Sequence, residues 1–204
     1  RVGTDGAAAL AMINVILNEL DMYDAEYIKL KTNGPYLIRP DGFYKRDTRT
    51  NKPLVWDCVE QKAKTFDDPS ILDYELLEPV VVENESCTPA FRLLKDHVRA
   101  YPPERAAQIT GIAAATLRRI AKEFAEEARI GSKIVIEGKE LPYRPVAAVF
   151  FRGSQGHVNS GWNCLSMDLL NHIVGAADTV GAAMGLGPPV CHGYPGTGKP
   201  ETTM

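Results

Sequence analysis

Four stretches of this sequence carry residue types at spacings that could do chemistry. The loudest is Gly193 to Pro200, GYPGTGKP, which spells the first seven positions of the phosphate-cradling loop G-x-x-x-x-G-K-[ST]. That loop needs Ser or Thr after the lysine to hold magnesium, an apolar strand before the first glycine, and a helix whose first amides complete the cradle. Here Pro200 follows Lys199 and GLGPPVCH precedes the motif, so only the spelling survives and no triphosphatase is expected. The second stretch, AAQITGIAAATLRRIAKEF, has a short helix, a turn at Gly111 and a second helix with Thr116, Arg118 and Arg119 near its start, the outline of a helix-turn-helix. A formal net charge of -3, with Glu123, Glu126 and Glu127 on that same helix, favours a helical hairpin packed on a larger body.

The third stretch is GTDG, Gly3 to Gly6, at the mouth of an apolar helix. Backbone amides and the positive end of the helix dipole suit an anionic group there, with Asp5 available to accept from a guanine or a ribose. The fourth is RGSQGHVNSG, where Gly153 and Gly156 allow close backbone approach and Arg152, Gln155, His157 and Asn159 are polar fingers. His157 earns no catalytic role from its type alone. Cys58, Cys87, Cys164 and Cys191 form no C-x-x-C pair, so local spacing assembles neither a zinc site nor an iron–sulfur cluster.

The elements that must position these residues follow from periodicity. GTDGAAALAMINVILNEL reads as a helix buried on most sides, with Thr4 and Asp5 as cap candidates and Asn14, Asn18 and Asp21 as a narrow polar edge. Asn14 also interrupts the longest apolar run, which is too short to span a membrane. YLIRPDGFYKR reads as two short strands around Pro40-Asp41-Gly42. From Thr48 to Ser86 the chain is polar and broken by prolines, with only LVWD and PVVVE suggesting strands. TPAFRLLKDHVRAY starts with a Thr cap and Pro at the first helical position. AAATLRRIAKEFAEEAR places Leu117, Ile120, Ala121, Phe124, Ala125 and Ala128 on one face. KIVIEGKELPYRPV is hairpin-like, and PVAAVFF reads as a strand buried on both sides. WNCLSMDLLNHIVG then gives a helix with Trp162, Leu165, Leu169 and Ile173 as its apolar stripe.

Strand, glycine-rich loop and helix make the unit of a parallel sheet, so the expected class is α/β, Rossmann-like, with a helical hairpin and an irregular insertion, as part of a larger multidomain fold. The expected units are 1–47, a nucleotide-binding helix and hairpin; 48–87, an irregular connection; 88–131, the helical hairpin; and 132–204, a strand–loop–helix return with an irregular tail.

Taken in order, GTDGAAALAMINVILNE, TNGPYLIR, YPPERAAQITGIAAATLRRIAKEFA, LPYRPVA and RGSQGHVNSG…LLNHIVGAADTVG resemble the catalytic subunit of molybdopterin oxidoreductases of the dimethyl sulfoxide reductase family. The sequence departs from that pattern at Val2, where many members carry Pro, and at Gly156, where others have a longer polar side chain. The resemblance implies bis(molybdopterin guanine dinucleotide) with molybdenum or tungsten, and two-electron redox chemistry, either oxygen-atom transfer or hydroxylation. It implies that Gly3, Thr4 and Asp5 contact a guanine nucleotide, and that the loop with Arg152, Gly153, Gly156 and His157 lies against a pterin or its phosphates. It further implies that this is an internal piece of the catalytic polypeptide, inactive alone, with the metal ligand and any iron–sulfur cluster supplied by sequence before Arg1. The implied partners are a small-molecule substrate and an iron–sulfur electron-transfer subunit, with neither nucleic acid nor direct membrane insertion. The resemblance favours the periplasm over the cytoplasm. The alternative, from another class, is a nucleic-acid or protein-binding module that uses the hairpin from Glu104 to Arg129.

Overall fold

The computed structural model describes residues 1–182. The GYPGTGKP motif, Cys191 and the glycine-rich tail lie outside the described residues. Helix α1, Asp5–Asn14, runs on through a π-helical turn at Val15–Glu19 and forms the centre of the molecule. Ala9, Ala11, Ile13, Val15, Ile16 and Leu17 are all buried, and Ala8, Ala9 and Ala11 are small enough to let neighbouring helices approach closely. Around α1 pack α3 (Ala90–Val98), α4 (Pro103–Thr110), α5 (Ala114–Glu127) and α7 (Ser160–Ile173). The polar edge serves as a seam, because Asn18 Nδ2 donates to Asn14 Oδ1 at 2.9 Å and to the Lys95 carbonyl of α3 at 3.0 Å.

The helical hairpin forms as the sequence indicates. Gly111, at φ +81°, takes the left-handed cap position that ends α4. In α5, Leu117, Ala121 and Ala125 face inward at a spacing of four, while Arg119 pairs with Glu123 and Lys122 with Glu126 on the outer face. Ile120 is 38% exposed and lies at the edge of the buried stripe. Helix α3 starts one residue later than the cap reading places it, with Pro89 rather than Thr88 at the N-cap.

Among the described residues every ladder is antiparallel. β1 (Leu37–Ile38), β5 (Glu85–Pro89) and β4 (Val80–Val82) pair in the order β1-β5-β4. The hairpin around Gly42 closes on β1 through an Ile38–Tyr44 bridge. β2 (Leu54–Asp57) pairs with β3 (Lys62–Thr65), and β6 (Lys133–Ile136) pairs with β7 (Lys139–Pro142) across Glu137 and Gly138, both at positive φ. The polar 48–86 segment is therefore more regular than its composition indicates. Asp57 lies buried at the end of β2, where it accepts from Lys64 Nζ at 2.8 Å and from the amides of Val59 and Leu72 at 3.0 Å each.

Two expectations need correction. The described residues contain no parallel sheet, only a single parallel bridge between Tyr143 and Val180, and PVAAVFF joins no ladder. A strand needs a neighbour. Here Ala148 finds a side chain instead, donating to Asn171 Oδ1 at 2.7 Å and accepting from Asn171 Nδ2 at 2.9 Å. The second correction concerns α7 (Ser160–Ile173). Trp162 and Leu165 are 75% and 61% exposed, and the buried positions are Asn163, Leu170, Asn171 and Ile173. The expected stripe holds at Leu169 and Ile173, which pack into the core, and fails in the first half of the helix, where Asn163 faces α1 in place of Trp162 and Leu165.

Candidate functional site

The first and fourth stretches come together. Gly3, at φ +78°, turns the chain into α1, and a Cβ built there would sit 3.6–3.7 Å from the His157 ring. Thr4 occupies the N-cap position without a side-chain cap, since its hydroxyl donates to the Arg1 carbonyl at 2.6 Å. Asp5 opens the helix half-buried, and its carboxylate makes no hydrogen bond or ion pair with the described residues. The amides of Gly3, Thr4 and Asp5 also have no partner among them. Gly6 differs: its amide donates to Asn163 Oδ1 at 3.1 Å in a buried contact.

On the facing side, Arg152–Gln155 form a short helix, α6, before the loop from Gly156 to Asn159 that leads into α7. A Cβ at Gly153 would meet nothing within 4 Å, so that glycine faces open space. His157 Nε2 lies 2.9 Å from Asn163 Nδ2, and the Asn159 amide approaches Nδ1 at 3.3 Å. The structure thus juxtaposes Gly3 with His157 and leaves Gly153 and Gly156 exposed at the rim.

Sequence reasoning missed Asn163 and Gly6, which hold the two stretches together. A Cβ at Gly6 would stand 2.4 Å from Asn163 Oδ1, so only glycine permits this approach. No local signal marks Asn163, because the apolar stripe read through Trp162 and Leu165 leaves it off the inward face. A second group was also missed: Arg144 and Asp24, a buried ion pair on the wall of a cavity of about 670 Å³ lined also by Tyr27, Lys31, Lys133 and Thr179. Burial pushes the Tyr27 phenol up from its usual range, with neighbouring aspartates adding to the effect.

The arginines of the helical hairpin are engaged. Arg118 forms a fork to Glu19, Nε to Oε2 at 2.8 Å, and reaches Glu104 at 2.6 Å; these bonds hold its guanidinium further toward the charged form. Nothing here favours a free basic recognition face. Among the described residues no group of three or more His, Cys, Asp and Glu side chains is disposed to hold a metal ion, and no helix is long and apolar enough to cross a membrane.

No family model matches the chain. It is 33% identical over 168 residues to the alpha subunit of perchlorate reductase from Dechloromonas aromatica, an alignment covering 60% of this chain and 18% of that protein. It is 29% identical over 208 aligned positions to a sulfite dehydrogenase subunit of Allochromatium vinosum, covering 89% of this chain and 21% of the relative. The chain is a relative of the catalytic subunits of molybdenum enzymes of the dimethyl sulfoxide reductase family. These relatives are reductases and dehydrogenases, and the chain spans about a fifth of their length. Acetylene hydratase from Pelobacter acetylenicus superposes with a TM-score of 0.44 at 23% identity, covering 86% of this chain and 14% of that one, a likeness too slight to define a shared fold.

Proposed function

We propose that this chain is part of the cofactor-holding region of a molybdenum oxidoreductase catalytic subunit. The juxtaposition of Gly3 with His157 carries the reading, because it gathers two glycine-bearing loops and the start of α1 around one surface. Unpartnered amides at Gly3, Thr4 and Asp5 suit phosphate or carbonyl oxygens, and the unpartnered Asp5 carboxylate suits the paired N–H donors of a guanine edge. These residues fit a molybdopterin guanine dinucleotide: Gly3, Thr4 and Asp5 toward the nucleotide, and the loop with Arg152, Gly153, Gly156 and His157 toward the pterin or its phosphates. When bound, that group supplies two-electron redox chemistry at molybdenum or tungsten, and the chain's own part is to bind and orient it.

The expected parallel sheet belongs to this reading. PVAAVFF would become a strand when paired with neighbours contributed by other parts of a longer polypeptide, completing the 132–204 return to the cofactor domain. An iron–sulfur subunit would supply or remove electrons, and oxygen-atom transfer or hydroxylation would be the reaction.

The test is the Asp5→Ala variant of the complete enzyme, with bound molybdenum and acid-released guanine nucleotide quantified per catalytic polypeptide. Loss of nucleotide occupancy together with redox activity is the expected result. Occupancy and activity equal to wild type would remove Asp5 from the site and, with it, the nucleotide assignment of GTDG.

A further inference from the structure

The PVAAVFF segment has two edges, and the chain itself closes only one. From Val146 to Phe151 burial alternates residue by residue, with Val146 and Ala148 packed on the core and Val149 and Phe151 72% and 60% exposed, the period of an extended chain. In such a chain the N–H and C=O of one residue point to the same edge, and those of the next residue to the opposite edge. The even-numbered edge is taken. The Arg144 amide donates to the Val180 carbonyl at 2.9 Å, and Ala148 exchanges both of its hydrogen bonds with the Asn171 side chain, as it would with a residue of an antiparallel strand. On the odd-numbered edge the Tyr143 amide donates to the Ser132 carbonyl at 2.9 Å and Pro145 has no N–H. Beyond them the amides and carbonyls of Ala147 and Val149, both exposed residues, have no partner among the described residues. An exposed apolar edge is a template for uncontrolled pairing, which folded proteins cover.

We infer that the edge presented by Ala147 and Val149 is a docking site for one extended, apolar segment from another part of the same catalytic polypeptide, and that Asn171 stands in for a strand on the opposite edge so that pairing occurs on one side only. Two observations favour this occupant over a second copy or a foreign peptide. The chain spans about a fifth of the length of its relatives, so most of such a polypeptide lies outside it. The exposed Val149 and Phe151 need apolar cover as well as hydrogen bonds, which a strand arriving with its own layer of structure supplies and a lone peptide does not. The inference rests on the reading of the chain as part of a longer catalytic subunit, and adds which edge is paired and what prevents pairing on the other.

Hydrogen exchange read residue by residue tests the docking. In the 204-residue chain the Ala148 amide should be protected, while those of Ala147 and Val149 exchange at the unprotected rate at every protein concentration. In the complete catalytic polypeptide with its cofactor bound, Ala147 and Val149 should slow by at least about tenfold. Equal rates in the two proteins overturn the inference. So does protection that appears in the short chain as its concentration rises, because the occupant is then a second copy. Val149→Pro removes one donor from the free edge and none from the edge that Asn171 holds. It should leave Ala148 protected in the short chain and return Ala147 to fast exchange in the complete polypeptide. An Ala147 amide that stays slow there shows burial without pairing and refutes the docked strand. If the variant polypeptide does not accumulate, the wild-type comparison decides alone. Loss of nucleotide in Asp5→Ala beside an edge that never slows would leave the cofactor reading standing without this inference; a slowed edge beside an indifferent Asp5 would do the reverse.

Discussion

Arg144 reaches one carboxylate oxygen of Asp24 with two nitrogens, Nε at 3.2 Å and Nη2 at 2.5 Å, across 120 residues of sequence. The other Asp24 oxygen accepts from the Tyr27 amide at 3.0 Å and so caps α2, Ala25–Lys31. The Asp24 amide donates to the Ile173 carbonyl at 2.8 Å, and Arg144 Nη1 donates to the carbonyls of Ser132 and Tyr143. One buried pair thus ties α2, the end of α7 and the base of the β6–β7 hairpin. Arg144→Ala would leave the Asp24 charge buried without its partner, and the expected loss is about 3–5 kcal/mol of unfolding free energy, measured by urea denaturation. A variant within about 1 kcal/mol of wild type would show that the pair is dispensable.

Gly175 tests the same junction from the other side. Its φ is +71°, and a Cβ there would lie 2.4 Å from Asp24 Oδ2. Gly175→Ala therefore combines backbone strain with a clash against a carboxylate that cannot retreat, and should cost about 2 kcal/mol or more in the same denaturation experiment. Gly111→Ala is the control: it carries the same left-handed strain at φ +81° but has open space around it, so it should cost less.

These two sites also explain what is legible in the sequence. Helix α5 and the β6–β7 hairpin are local devices, a four-residue spacing in one and the Glu137-Gly138 turn in the other, and both can be read from a few adjacent residues. The Asp24–Arg144 pair is a tertiary fact with no local trace. PVAAVFF misleads for the same reason: an apolar run becomes a strand only through its neighbours, and here its neighbour is the Asn171 side chain. The GTDG and HVNSG stretches stand out through glycine and helix-start chemistry, but the residue that joins them, Asn163, sits in a helix whose Trp162 and Leu165 draw the apolar stripe away from it.

Asp57 sets an acid limit on the 48–86 segment. The hydrogen bond from Lys64 holds its carboxyl well below the ordinary carboxylate range, with the amides of Leu72, Val59 and Glu60 acting the same way. A depressed folded pKa stabilises the fold above the unfolded value of about 3.9, and that contribution is lost as pH falls below it toward the folded value. The β2–β3 hairpin should hence keep its cross-strand amide protection down to about pH 4 and lose it in stronger acid. Asp57→Asn should lower protection at neutral pH and weaken this dependence, the remainder coming from Glu60, Asp67 and Asp68, whose carboxyls are also held below their ordinary range, Glu60 and Asp67 chiefly by lysines and Asp68 by Ser70.

The last prediction concerns Asn171, which is 2% exposed and serves Ala148 as both acceptor and donor. Asn171→Leu is close in volume yet strands one N–H and one C=O of the 145–151 segment, each costing about 1–3 kcal/mol if they stay buried. Two outcomes are physically distinct. If the amide bridge holds the segment against α7, hydrogen exchange at Ala148 should quicken by at least about tenfold, while exchange in α5 stays as it was. If packing of Val146 and Ala148 against the α1 core is sufficient, Ala148 should remain protected in the variant, and the asparagine would have no role in fixing where this segment lies.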